Sequence, residues 1–139
     1  MAFDISARRA SETATIELKN GDGSPLVDEE GKPISVVVSG PGTKIYRQAD
    51  AERNRKRTKR LRANGGKPEA NIDEALEDHI DFLAAITVKF NGDIEHPDAK
   101  NKGDIARAIY ADDSLGFIRE HVTSEASDWS AFTKGSAKS

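Results

Sequence analysis

A chain of 139 residues with 21 Lys+Arg against 24 Asp+Glu carries a formal charge of −3; it has room for one domain with a modest core, and lacks the positive excess of a dedicated nucleic-acid binder. With 32% charged residues and a mean hydropathy of −0.65, part of the chain is expected to stay extended until it meets a partner. The sequence has no cysteine, which excludes disulfides and thiolate chemistry, and no run approaches the roughly 18 apolar residues of a membrane span. No signal peptide is read at the start, so a soluble cytoplasmic protein is expected.

Taken in chain order, residues 1–12 are small and polar and read as a loose lead-in. ATIELKN (Ala14 to Asn20) and ISVVVSG (Ile34 to Gly40) have the β-branched character of strands, and GDGSPLVDEEGKP between them supplies turn residues. The expectation is a β-hairpin over 13–40. A lone hairpin is marginal in water, so a helix must cover one face or a second subunit must extend its edge. Val37 and Val38 are therefore the self-association candidates, at an unpaired hairpin edge.

Thr43 is placed to cap a helix running to about Ala63. Its apolar residues, Ile45, Tyr46 and Ala49, fall in the first two turns. Beyond Glu52 the helix reads RNRKRTKR, with no apolar residue until Leu61. Arg53, Arg55, Lys56, Arg57, Lys59, Arg60 and Arg62 surround the axis with positive charge, and this half is predicted to leave the body and project into solvent, up to the breaker ANGGKPE.

NIDEALEDHIDFLAAITVKFNG is predicted as one helix from Asn71 to Gly92. Asn71 and Glu74 have capping-box spacing, and Ile72, Leu76, Ile80, Leu83, Ile86 and Phe90 form a stripe, with Asn91-Gly92 as the stop. A loop follows, then a short helix capped by Asn101 that carries Ile105, Ala106, Ile109 and Tyr110. Asp112 or Asp113 opens the last helix, SLGFIREHVTSEASDWSAF, with a stripe of Leu115, Ile118, Val122, Ala126, Trp129 and Phe132. Helical phase places Trp129 in the core; a partner-facing anchor is the alternative for Trp129 and Phe132. The fold class is α+β, mainly α: one domain over 1–139, with the helical part at 43–132 and a fraying tail at 133–139.

The basic run could neutralise phosphates, but no aromatic is interleaved between Glu52 and Asn64 to stack on bases. Protein contact or a solvated arm is the preferred reading, with Asp73, Glu74, Glu77, Asp78 and Asp81 as acids that could face it, within the chain or across subunits. Incidental charge and nucleic-acid binding remain alternatives. His79, His96 and His121 are scattered without metal-site spacing. The acid pairs suit caps and turns, GDGSP is not a phosphate loop, and no strained nucleophile turn is present. No catalysis, metal or cofactor is expected.

The order of hairpin, SGPGTKIYRQADAERNRKRTKRLR, a helix ending in LAAITVKFNG, and a closing YADDSLGFIREHVTSEASDWSAFTKGSAKS resembles the tail assembly chaperones of long, non-contractile-tailed bacteriophages and their prophage relatives. FIREHVTSEASDWSAF with its small, Lys/Ser-rich tail is the most distinctive piece, and the likeness spans about residues 13–137. It departs from the family pattern after Phe90, where many such proteins carry a second aromatic. The resemblance implies a non-catalytic late protein of the host cytoplasm, absent from the finished virion, that binds the tape measure protein, keeps it soluble and recruits the major tail tube protein. It also implies a longer frameshifted product continuing after about Lys134 to Ser139. Partner-binding candidates are Arg53, Arg55, Lys56, Arg57, Lys59, Arg60 and Phe132, in a protein expected to self-associate and to have no membrane contact. A phage nucleic-acid-binding protein using residues 53–62, or a structural tail-completion subunit, is the competing class.

Overall fold

The computed structural model describes residues 2–67 and 72–133. The architecture is α+β, mainly α: among the described residues, a three-stranded antiparallel sheet in the order β1-β2-β3 accompanied by the helices α1 to α4 and a last helical turn at 130–133. β1 (Thr13–Glu17) pairs with β2 (Ser35–Ser39), setting Ala14 opposite Val38 and Ile16 opposite Val36. Successive side chains on a strand alternate in face, so Val36 and Val38 enter the core, while Ser35, Val37 and Ser39 share the other face. The intervening loop is folded back between its own ends. Leu26 N–H donates to the Leu18 carbonyl and Ile34 N–H to the Leu26 carbonyl, and Asp22 and Asp28 close turns through their carboxylates.

The third strand departs from the single helix expected over 71–92. α2 (Ile72–Ile86) stops six residues short of Gly92, and Thr87–Asn91 is β3, paired antiparallel with β2 through a register irregularity at Val37/Val38. The switch has a local cause and a tertiary one. Thr87 turns its hydroxyl back onto the Leu83 carbonyl at 2.7 Å, satisfying a helix-end acceptor. Residues 87–90 (TVKF) suit a pleated surface, and β2 would otherwise present a row of unpaired backbone groups. Gly92, at φ +124°, ends the strand and not the helix. β2 is consequently the central strand. Val38 is 0% exposed and Val37 half-buried, so the pair expected at an open hairpin edge belongs instead to the interior of the sheet.

α1 (Lys44–Ala63) is capped by Thr43, whose side chain accepts from Tyr46 N–H, and it ends at Asn64 with Gly65 and Gly66 at positive φ. The proposed Asn71 cap of α2 lies outside the described residues. α3 (Ile105–Ala111) follows a 3₁₀ turn capped by Asn101, and α4 (Gly116–Ala126) follows one capped by Asp112. The last predicted helix is shorter than expected: α4 ends at Ser127, and Asp128 restarts a helical turn by accepting from Ser130 N–H at 2.9 Å. The lead-in is also more ordered than expected. Asp4 caps a 3₁₀ turn at Ile5–Arg8, and Ser11 N–H donates to the Phe132 carbonyl at 2.8 Å.

One apolar cluster joins the elements: Ile16, Leu18, Ile34, Val36 and Val38 from the sheet side, Ile80, Phe82, Leu83 and Ile86 from α2, Ile109 and Tyr110 from α3, and Ile118, Val122, Ala126 and Phe132 from the C-terminal part. Tyr110 is fully buried, with its hydroxyl 2.8 Å from that of Thr87; burial pushes its pKa up to about 12.

Candidate functional site

The basic helix does not project alone. α1 leaves β2 and α2 enters β3, so the sheet lies at the base of an antiparallel helical hairpin whose far end is formed by the end of α1 and the start of α2. At 1.5 Å per residue, α1 is roughly 30 Å long. All the buried residues of α2 lie at or beyond Asp78, and α1 has none. The end of the hairpin beyond Leu76, which still packs on the core, is therefore an arm of two helices with no buried side chain among the described residues.

The arm is held by charge where the sequence has no apolar stripe to offer. Arg53, Lys56 and Arg60, spaced three and four apart, are the half-buried members of the basic run and face α2. Lys56 Nζ lies 3.0 Å from Asp81 Oδ2, and Asp81 also pairs with Arg107 of α3, so one carboxylate ties three helices. Arg60 pairs with the buried Asp78 and reaches Glu74 at 3.4 Å. Arg53 closes the base of the seam: its guanidinium lies 3.9 Å from the centroid of the Phe82 ring and donates to Asp50 at 2.6 Å and to His79 Nδ1 at 2.9 Å. A cation over an aromatic face in such a part-buried setting contributes on the order of 1 kcal/mol.

His79 is the hinge pin of this arrangement. Arg53 can only donate, so Nδ1 accepts and the ring proton sits on Nε2, 2.8 Å from Thr123 Oγ1; the Thr123 hydroxyl in turn donates to the Arg119 carbonyl at 2.8 Å. Burial, reinforced by Arg53 and Arg119, holds the imidazole below its ordinary pKa and keeps it neutral. The other two histidines are also structural. His96 accepts from Asp98 N–H and donates to Asp112, the contact that chiefly lowers the Asp112 pKa, and His121 sits 3.1 Å from the Glu17 carbonyl. Among the described residues no group of three or more His, Cys, Asp or Glu side chains could hold a metal ion.

The candidates named from the sequence thus fall into three sets. Arg53, Lys56 and Arg60 are committed to the inner seam, and Arg55 is held by Glu52 of the preceding turn at 2.6 and 2.8 Å. Arg57, Lys59 and Arg62 are exposed and enter no ion pair among the described residues. Phe132 is no partner anchor: it is 1% exposed and packs on Gly40, on the buried side where the predicted stripe put it. The helix break at Ser127 leaves Trp129 outside the core, 54% exposed, with its ring beside Gly42. At the far end of the arm, Ile72 is 81% and Leu61 40% exposed. Asp78 and Asp81 were among the acids expected to face the run; Arg107 and Phe82 were not singled out by sequence as its neighbours. The signal was present in the matched spacings 53-56-60 on one helix and 74-78-81 on the other.

No protein-family model, no curated protein and no solved structure matches this chain. No helix among the described residues is long and apolar enough to cross a membrane.

Proposed function

We propose that this chain is a non-catalytic tail assembly chaperone of a long, non-contractile-tailed bacteriophage or prophage, which binds the tape measure protein in the host cytoplasm, keeps it soluble and promotes assembly of the tail tube around it. The observation that carries this reading is the braced two-helix arm. It offers apolar positions, Leu61 and Ile72, beside the cations Arg57, Lys59 and Arg62, at a distance from the core where a long client can lie alongside. A long helical client with bare apolar faces aggregates unless such surfaces are shared with it. The resemblance of the hairpin, basic helix and C-terminal segment to that family supports the same reading. Four of the seven cations of the run, Arg53, Arg55, Lys56 and Arg60, are engaged by carboxylates of the chain itself, which favours a protein partner over nucleic acid.

The test is co-expression with the tape measure protein encoded beside it, followed by a nuclease-treated pull-down. The expected result is a soluble, stoichiometric complex that is weakened by Leu61→Asp together with Ile72→Asp. An insoluble tape measure chain and an empty pull-down would reject the proposal, and recovery of DNA or RNA eluting with salt from an untreated control would turn the reading toward nucleic acid.

A further inference from the structure

The sheet keeps one open edge, and the strand register says which groups stand on it. Leu18 N–H donates to the Ile34 carbonyl and Gly40 N–H to the Glu12 carbonyl, so the even-numbered residues of β2 turn their backbone groups to β1. The odd-numbered ones, Ser35 and Val37, turn theirs to Asn91 and Lys89. Phe90, between those two, therefore directs its own N–H and C=O to the outer edge of β3. Among the described residues, no backbone hydrogen bond outside the helices and the sheet involves residues 88–95. The opposite edge differs: on β1 the outward Glu17 carbonyl is met by His121 of α4 at 3.1 Å.

A cleft of about 890 Å³ adjoins this edge, a volume within the range of ligand-holding sites. Residues 87–90, the loop at 92–96 and the first turn of α3 line it, and no residue of β2 does, which places it on the far side of β3. Its apolar lining is half-buried: Phe90, Ile94, Ile105 and Ala106 pack on the core, and Ala84 of α2 completes the set. Lys89 stands on the other face of the strand, exposed and in no ion pair among the described residues. A lysine on an edge strand deters indiscriminate pairing, and favours a strand that sets a carboxylate opposite it. The rest of the rim carries both signs, Lys102 against Asp93 and Glu95, so Lys89 is the charge that selects.

We propose that the outer edge of β3 receives an extended segment of a partner protein as a fourth strand. The partner residue opposite Phe90 is apolar and enters the cleft, and its neighbour opposite Lys89 is Asp or Glu. The backbone sets the class of ligand: the N–H and C=O of Phe90 exchange both bonds with one residue of an extended peptide, main-chain bonds giving affinity and alternate side chains giving specificity. The walls set its form. α3 and the loop at 92–101 flank the edge, so the entrant is a single extended chain and not the sheet of a second folded copy, whose β1 edge is met by α4 and whose β3 edge is flanked in the same way. The site is separate from the arm and independent of the client proposed for it.

The experiment titrates the isotope-labelled full chain with a synthetic octapeptide of alternating Val and Thr in which a central Thr is replaced by Glu, followed by amide NMR. The Glu peptide is expected to shift the amides of residues 88–92 and to slow exchange at Phe90. A peptide with Lys in place of the Glu should bind about two- to fivefold more weakly, and the Glu peptide with N-methylated valine amides about tenfold or more weakly. Lys89→Glu changes an exposed side chain, should keep the wild-type circular dichroism, and should reverse the preference between the Glu and Lys peptides. No shift at residues 88–92 with peptide up to about 1 mM, equal binding of the N-methylated peptide, or an unchanged preference in Lys89→Glu would overturn the proposal. So would a free chain that is already dimeric with the Phe90 amide protected, since a second copy would then occupy the edge. Each of these failures leaves the arm, and the chaperone reading that rests on it, untouched.

Discussion

Gly40 lacks a side chain in the very space that Phe132 fills: a Cβ at Gly40 would stand 2.6 Å from the Phe132 ring. The contact joins the end of β2 to the last described turn of the chain, and the hydrogen bond from Ser11 to the Phe132 carbonyl brings the N-terminal segment to the same place. Three distant stretches of sequence are closed by one aromatic residue. Gly40→Ala must push that ring aside, and is expected to cost about 1–3 kcal/mol. Phe132→Ala empties the site and is expected to cost about 3–5 kcal/mol. Trp129→Ala, at the exposed neighbour, should cost less than about 1 kcal/mol. Chemical denaturation of the three variants checks the order; equal losses at Trp129 and Phe132 would mean that both rings are core.

That pair also marks where the sequence stopped being legible. The two N-terminal strands, the Thr43, Asn101 and Asp112 caps, and the apolar faces of α2 and α3 follow from propensity and periodicity, which are local properties. Phe132 is buried as its stripe position implied, but the exposure of Trp129 follows a break at Ser127 that takes it out of helical phase, and Asp128 is the local hint of it. Residues 87–90 form a harder case. TVKF continues the three-four spacing of α2, so the periodicity is genuine, and it becomes a strand because β2 has an edge to offer. That preference is tertiary and cannot be read from a window of sequence. The charged seam was half legible: acids facing the basic run were anticipated, but not which cations would turn inward.

The identity of β2 as the central strand gives a direct contrast between neighbours. Val38 points into the core, whereas Val37 is half-buried on the opposite face, across from Thr15 on one side and Lys89 on the other. Val38→Glu places a carboxylate in an apolar interior and is expected to remove several kcal/mol of stability or prevent folding. Val37→Glu sets an acid opposite Lys89, and should change stability by less than about 1 kcal/mol. Thermal melts and solution mass distinguish them. A change in mass with Val37→Glu and an unchanged melt would mean that the outer sheet face is itself an interface.

Asp78 tests how much of the arm depends on its inner charges. It is buried and pairs with Arg60, itself mostly covered. Asp78→Ala leaves that guanidinium without its nearest acid, with Glu74 more exposed as the remaining partner. The expected loss is about 2 kcal/mol, toward the lower end for breaking a buried pair because Arg60 keeps Glu74. Lys59→Ala, on the outer face, should stay within about 0.5 kcal/mol of wild type. Urea unfolding followed by circular dichroism measures both, and hydrogen exchange along residues 53–63 would localise the loss to the arm. If Asp78→Ala were neutral, helix propensity and not the seam would be holding α1 in place.

His79 sets a pH limit on the same seam. Its folded-state pKa lies below the ordinary value of 6.5, first because burial disfavours the charged ring and then because Arg53 and Arg119 repel it. The unfolded chain therefore binds a proton more readily than the folded one, and the slope of stability against pH is positive across that interval. The contribution of neutral His79 is fully present above the unfolded value and is lost as pH falls toward the folded one. Protonation also puts a hydrogen on Nδ1, where Arg53 now donates, so the contact between α1 and α2 is broken at the residue that anchors the arm. Stability curves of wild type and His79→Gln should converge in shape at high pH and diverge on the acid side, with the wild type falling more steeply below about pH 6.5. Retention of the same acid slope in His79→Gln would assign that slope to other groups and remove the histidine as the limit.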